Sequence, residues 1–189
     1  MKEEFRKVIL PIMTMGLVIL LSNELVQHPV QGVFLGVDLS LVLTWGAFTY
    51  PVAFLITDLA NRFFGKTIAK KIVYFGFAIG ILFTLIFSTN FNDLISIRIA
   101  VGSGTAFIVA QLLDVQVFDK LRSKNWFIAP LFSSLIGSTV DTFLFFSISF
   151  YGTGVPWVTL SLGDLAVKIF IALIMLIPFR LLLTTLKPV

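Results

Sequence analysis

The chain is 189 residues long, 58% hydrophobic and only 13% charged, with a mean hydropathy of +1.02. These values exclude a soluble domain, whose helices keep one wet face, and describe a protein dissolved in lipid. The formal net charge of +4 comes from basic residues split among short segments, a pattern of membrane topology and not of a nucleic-acid surface.

An apolar run of about 20 residues spans a bilayer. Six such runs are read from the sequence: Val8 to Val26, Leu39 to Leu59, Ala69 to Ser88, Ile97 to Val117, Trp126 to Tyr151 and Gly163 to Leu183. The expected fold is all-α: a polytopic membrane protein, a bundle of six transmembrane helices forming one domain over 1–189, with the lipid bilayer as its partner. Twelve of the 14 Lys and Arg fall on one side, in Lys2, Arg6 and Lys7, in Arg62, Lys66, Lys70 and Lys71, in Lys120, Arg122 and Lys124, and in Arg180 and Lys187. By the positive-inside rule both termini are expected in the cytoplasm. The first run is too long for a signal-peptide core and lacks a small-residue cleavage motif, so a retained helix is expected.

Cysteine is absent and His28 is the single histidine, which argues against disulfides, thiolate or imidazole metal clusters and Ser-His catalysis. No metal or other cofactor is implied.

In chain order, the first helix ends on Ser22, Asn23 and Glu24, with Glu24 either hydrated at the interface or walling an outer vestibule. A turn follows over Gln27 to Gly32. The second helix holds Pro51, which cannot donate to the carbonyl of Ala47, so a kink and a free acceptor are expected in mid-membrane beside Thr44 and Trp45. At 100° per residue Thr44, Phe48, Pro51, Leu55 and Asp58 share one stripe, with Asp58 close to Arg62 and the basic side. In the third helix Gly76 and Gly80 form a small-xxx-small face for close packing, a scaffold role.

The fourth helix carries a polar stripe of Ser103, Phe107, Gln111 and Asp114, with Arg98 facing another neighbour. Its Gly102 to Ala106 segment follows no strand and lies inside a span, so helix packing explains it better than dinucleotide binding. The fifth helix places Ser134, Ser138 and Asp141 on one face, with Thr142 beside Ser138. Asp141 lies about 22 Å along the axis from the basic side, at 1.5 Å per residue. A carboxylate at that depth costs about 3 kcal/mol on insertion scales and persists when it faces a cavity, a partner charge or a substrate. The sixth helix pairs Asp164 with Lys168, four residues apart in the favourable order, either for structure or for gating.

Glu24, Asp58, Asp114, Asp141 and Asp164 therefore stand against only Arg98 and Lys168 within or beside the spans. Acids in excess need water, a proton, a substrate or a donor. Asp58 and Asp114 are expected to use the basic loops, which Asp141 cannot reach. Gly163-Asp164 has half of an intramembrane aspartyl protease pattern, but no Tyr-Asp partner occurs, and no phosphate loop is present. The polar stripes describe a pathway, and with it transport rather than catalysis.

Several strings carry a resemblance: Thr44-Trp45-Gly46-Ala47-Phe48; Thr57-Asp58-Leu59 with Arg62-Phe63-Phe64-Gly65; Arg98-Ile99-Ala100; Gln111-Leu112-Leu113-Asp114-Val115; Ala129-Pro130 with Gly137; Asp141-Thr142; and Ser22-Asn23 with Leu25-Val26-Gln27. In this order they resemble the queuosine precursor transporter family, also called the vitamin uptake transporter family, over almost the whole chain. The resemblance implies uptake of 7-deazapurine precursors of queuosine across the bacterial inner membrane, chiefly 7-cyano-7-deazaguanine, with the aminomethyl form or queuine as further candidates. Such a substrate offers adjacent N–H and amino donors to a carboxylate, a carbonyl that needs a donor and a flat ring that stacks on aromatics. The two-point contact is expected from Asp141 or Asp58, ring-edge contacts from Asn23, Gln111 or Ser138, and stacking from Trp45 with Phe48. Asp114 and Thr142 complete the candidate binding set, and Glu24, Arg98, Asp164 and Lys168 the candidate ion-pair or gating set. A homodimer is a further expectation for so small a bundle. The alternative reading is a substrate-capturing subunit of a multi-component importer.

Overall fold

The computed structural model describes residues 2–185, and the side chains of residues 8–185. Lys187 lies outside the described residues, as do the side chains of Lys2, Arg6 and Lys7. Five helices are long and apolar enough to cross a membrane, within Val8–Leu25, Lys66–Ser88, Leu94–Leu121, Ile128–Phe150 and Trp157–Thr185. The first belongs to α1 (Lys2–Leu25). The second joins α4 (Lys66–Phe83) to a wider turn over Thr84–Ser88, where Thr89 N donates to Thr84 O at 2.9 Å. The others are α5 (Leu94–Leu121), α6 (Ile128–Phe150) and α7 (Trp157–Thr185).

Their outer surfaces are apolar, with Leu10, Phe75, Phe170, Ile177 and Leu181 exposed, while Asp58, Asn61, Gln111, Asp114, Asp141, Asp164 and Lys168 are buried. A protein with an apolar exterior and a polar interior is built for lipid, where the outward face needs no polar groups. The chain is a polytopic membrane protein.

The second apolar run does not form the single kinked helix expected over Leu39 to Leu59. A small antiparallel hairpin of β1 (Val33–Phe34) and β2 (Val37–Asp38) leads to a short turn over Leu39–Leu41. Asp38 caps that turn, accepting from Ser40 N at 3.0 Å and Ser40 Oγ at 2.8 Å, and these donors hold its carboxyl below the usual range. The non-helical backbone beyond the turn finds partners elsewhere: Val30 N donates to Leu43 O at 3.0 Å and Trp45 N to His28 O at 3.1 Å. Only then come α2 (Gly46–Thr49) and α3 (Pro51–Phe64). Pro51 opens α3, the one helical position where a missing N–H and a fixed φ cost nothing. Its 14 residues reach about 21 Å at 1.5 Å per residue, short of a hydrocarbon core. Irregular backbone at such depth survives where protein covers it. Gly163 of α7 provides that cover, because a Cβ there would collide with the carbonyl of Val42.

Glycines also set the other close approaches. On α4, Gly76 admits Met15 and Gly80 admits Ile19, so α1 lies close along α4, as the small-xxx-small spacing predicts. On α6, Gly137 takes the ring of Phe54 from α3. Met15, Ile19, Phe54, Ile72, Val73, Phe107 and Val115 form the largest apolar cluster, joining α1, α3, α4 and α5.

Candidate functional site

The basic end of the bundle is closed by the α3–α4 and α5–α6 turns. Lys66 Nζ lies 3.4 Å from Asp119, Arg62 donates to the Arg122 carbonyl at 3.0 Å, and Arg122 donates to both the carbonyl and the side-chain oxygen of Asn61. At the far end Glu24 accepts from Ser88 Oγ at 2.8 Å and lies 3.4 Å from His28. Glu24 is half exposed, so it sits at a surface.

Midway between these ends, four side chains of α6 and α7 meet. Lys168 Nζ is 2.6 Å from Asp164 Oδ2 and 3.0 Å from Asp141 Oδ2, and it donates to Thr142 Oγ1 at 3.1 Å. Thr142 Oγ1 in turn donates to Asp164 Oδ2 at 2.8 Å. The local reason is helical spacing: Asp164 and Lys168 lie four apart on α7, and Asp141 with Thr142 brings an acid and a hydroxyl to the facing turn of α6. All four are buried. Two carboxylates on one ammonium leave an excess negative charge in a low-dielectric space, where charge-assisted bonds are strong and unpaired atoms costly.

Two atoms remain unpartnered at this cluster, Asp141 Oδ1 and Tyr50 Oη. The Tyr50 ring lies under Lys168, 4.9 Å from centroid to Nζ. A cavity of about 20 Å³ opens here, lined by Ser22 and Asn23 of α1, Gly46 and Tyr50, Ser103 of α5, and the charged cluster. It has room for one water at most and is far too small for a heterocycle.

The base that reaches Asp141 is Lys168, on another span and not in a basic loop. Asp58 and Asp114 do not use the basic loops either. Asp58 accepts from Ser133 Oγ at 2.9 Å and Ser134 Oγ at 3.1 Å, while both oxygens of Asp114 are unpartnered. Among the described residues Arg98 meets no acid: its guanidinium donates to the carbonyls of Ile148 at 2.8 Å and Tyr151 at 2.8 Å, capping the C-terminal end of α6.

Of the expected binding residues, Asn23, Asp141 and Thr142 gather at the central cluster, with Asp164 and Lys168 from the ion-pair set. Asn23 Nδ2 donates to Thr84 Oγ1 at 2.9 Å, tying α1 to the wide turn after α4. Asp58, Gln111 and Asp114 lie toward the basic end, and Ser138 stands between the two groups on α6, lining the space beside Asp58. Trp45 and Phe48 are not brought to the cluster; they are 48% and 41% exposed on the outer face. The stripe that grouped Phe48 with Asp58 does not hold, since Phe48 is exposed and Asp58 buried. Tyr50 is the aromatic that faces inward, and the signal for it was its place beside Pro51, where the helix restarts. Ser22 and Ser103 also line the cavity; Ser103 belonged to the polar stripe of the fourth span.

A family model described as "Putative vitamin uptake transporter" matches residues 44–183. A protein of Haemophilus influenzae named "Probable queuosine precursor transporter" is 38% identical over 186 residues, covering 85% of this chain and 79% of that protein. The "Queuosine precursor transporter" of Escherichia coli (strain K12) is 35% identical over 181 residues, covering 86% and 79%. A Bacillus subtilis protein, "Probable queuosine precursor transporter", is 27% identical and covers 72% and 69%. No solved structure matches the chain. A match over most of the chain and two relatives above one-third identity, on a polytopic bundle with buried charges, establish that this chain belongs to the vitamin uptake transporter family, a family of membrane transporters and not of enzymes.

Proposed function

We propose that the protein imports 7-deazaguanine precursors of queuosine, chiefly 7-cyano-7-deazaguanine, across the bacterial inner membrane, binding them at the Asp141–Lys168 cluster. The observation that carries this reading is a cavity lined by Asp141, Lys168, Asn23 and Tyr50, in which Asp141 Oδ1 has the Tyr50 hydroxyl as its neighbour and no donor in close hydrogen-bond geometry. A deazaguanine has N–H and amino donors side by side, which a carboxylate accepts as a two-point pair, and a carbonyl that takes a donor such as the Lys168 ammonium. Tyr50 supplies the aromatic face, in the role expected of Trp45 and Phe48. The printed names of the relatives, queuosine precursor transporters, support the substrate class.

In this reading the chain is one domain with six crossings, the second assembled from the broken segment of residues 39–64, and the basic end faces the cytoplasm with both termini. The cavity must enlarge to admit a bicyclic ring. The four-residue α2, between the loop at residues 42–45 and Pro51, carries Gly46 into the cavity wall.

Binding of 7-cyano-7-deazaguanine to the purified protein, with guanine as competitor, tests the reading. Saturable binding that guanine fails to displace and that Asp141→Asn weakens supports it; no binding by folded wild type rejects it. Reconstitution then separates a self-sufficient carrier from a capture subunit, since only the carrier moves substrate in otherwise empty liposomes.

A further inference from the structure

A second pair of carboxyls stands apart from the Asp141 cluster. Asp58 of α3 and Asp114 of α5 are 2% and 0% exposed, and they sit at one level of the interior, because Thr57 donates to Gln111 and Asn61 to the carbonyl of Val115 and so fasten α3 to α5 on either side of them. Asp58 is held by the hydroxyls of Ser133 and Ser134. Asp114 has no hydrogen bond at either oxygen, and one turn earlier the buried Gln111 leaves Nε2 without an acceptor while Thr57 occupies its Oε1. These are unsatisfied groups in a place water does not reach, the situation that marks a missing hydrogen or ligand.

The basic side chains of the α3–α4 and α5–α6 turns bond other groups, although Arg122 Nε has no partner. Lys66 and Arg122 meet Asp119, Arg122 also meets Asn61, and Arg62 binds a carbonyl. The α6 side chains that share a small space with Asp58 are Pro130, Ser134 and Ser138, and those of α7 are apolar, Ala172, Met175, Leu176 and Phe179. Among the described residues no Lys, Arg or His forms an ion pair with Asp58 or Asp114.

We propose that Asp58 and Asp114 share one exchangeable proton and form the coupling-ion site of this transporter, separate from the site that holds substrate. Two facing carboxylates without a cation cannot both stay ionised in a dry interior; one hydrogen between them turns repulsion into a bond. The hydrogen is taken up while the site is open to the outer side and released to water when the basic end opens, leaving two carboxylates that repel. That repulsion drives α3 from α5 and favours return. The link to substrate runs along α6, where Ser134, Ser138 and Asp141 lie on one face. Asp141 stands about 11 Å beyond Ser134 at 1.5 Å per residue, so one rigid helix touches both sites.

The proposal rests on the transport reading, and its test is divided so that the two can fail separately. Infrared spectra of the purified full-length protein at neutral pH read the hydrogen without any substrate. The wild type is expected to show a protonated-carboxyl band that both Asp114→Asn and Asp58→Asn abolish; two variants keep the comparison available if one fails to fold. No such band in the wild type, or a band unaltered in both variants, overturns the proposal. In liposomes with the membrane potential clamped, an inward gradient of one pH unit is expected to sustain about tenfold accumulation of 7-cyano-7-deazaguanine for one proton per substrate. Asp114→Asn is expected to lower this accumulation far more than it lowers substrate exchange. Uptake that only equilibrates, or that follows a sodium gradient instead, overturns the proposal. A wild type that neither accumulates nor exchanges this substrate rejects the substrate reading alone, and the infrared result then decides the carboxyl pair.

Discussion

Lys168 Nζ stands 3.0 Å from Asp141 Oδ2 although 27 residues separate them in the chain. The same ammonium is 2.6 Å from Asp164, so one buried cation holds two buried acids. Lys168→Met removes the cation and leaves both acids unpaired, and breaking a buried pair from one side costs about 3–5 kcal/mol. A large fall in melting temperature in detergent is expected. The double variant Lys168→Met/Asp164→Asn recovers part of it, because one stranded charge goes with its partner. A single variant as stable as the wild type would show that the ion pair contributes nothing.

Asp141→Asn tests binding with less damage to the fold, because Lys168 keeps Asp164 and Thr142. Losing a charge-assisted two-point contact costs about 1.5–3 kcal/mol, or roughly ten- to a hundredfold in affinity. Calorimetric titration with 7-cyano-7-deazaguanine reads that change, while the melting temperature falls less than for Lys168→Met.

Gly163→Ala is expected to be the most damaging of the small-residue changes. The new Cβ would strike the backbone carbonyl of Val42, which no side-chain rotation can move, so the loop at residues 42–45 must lift from α7. Overpacking of this kind costs about 3 kcal/mol. Gly104→Ala is the comparison: its nearest neighbour is the flexible end of Ile81 at 3.0 Å, and a loss below about 1 kcal/mol is expected. Thermal unfolding of the two variants side by side decides whether the close approach of loop and helix matters.

Arg98→Gln separates gating from capping. Arg98 holds the carbonyls of Ile148 and Tyr151 at the end of α6, and losing donors to them costs about 1–2 kcal/mol of stability. Substrate affinity and the pH-gradient dependence of uptake are expected to stay as in the wild type. A change in either, at constant stability, would return Arg98 to the gating set.

Much of this architecture was legible in the residues. The spans that became α1 and α4 to α7 announce themselves as apolar runs, because in lipid a helix must satisfy its own backbone and hide nothing but polar side chains. The Asp164–Lys168 pair is a spacing of four on one helix, and the shared face of Gly76 and Gly80 is a spacing of four on another. Both are local geometry, and helical period alone determines them.

What the sequence by itself determined, then, is the class of protein, its apolar spans, and which polar residues had to be explained inside a membrane. Only the tertiary structure decided how each was answered. The base for Asp141 lay on another helix, and the hydroxyls that hold Asp58 lay 75 and 76 residues away. The segment at residues 42–45 reads as helix by composition, yet its backbone is paired with residues 28–30 and covered at Gly163, while Trp45 and Phe48 lie outward and Tyr50 inward. Hydrophobicity and period act within one segment, whereas burial of a charge is settled by whichever neighbour the packing brings, and that neighbour has no fixed distance along the chain.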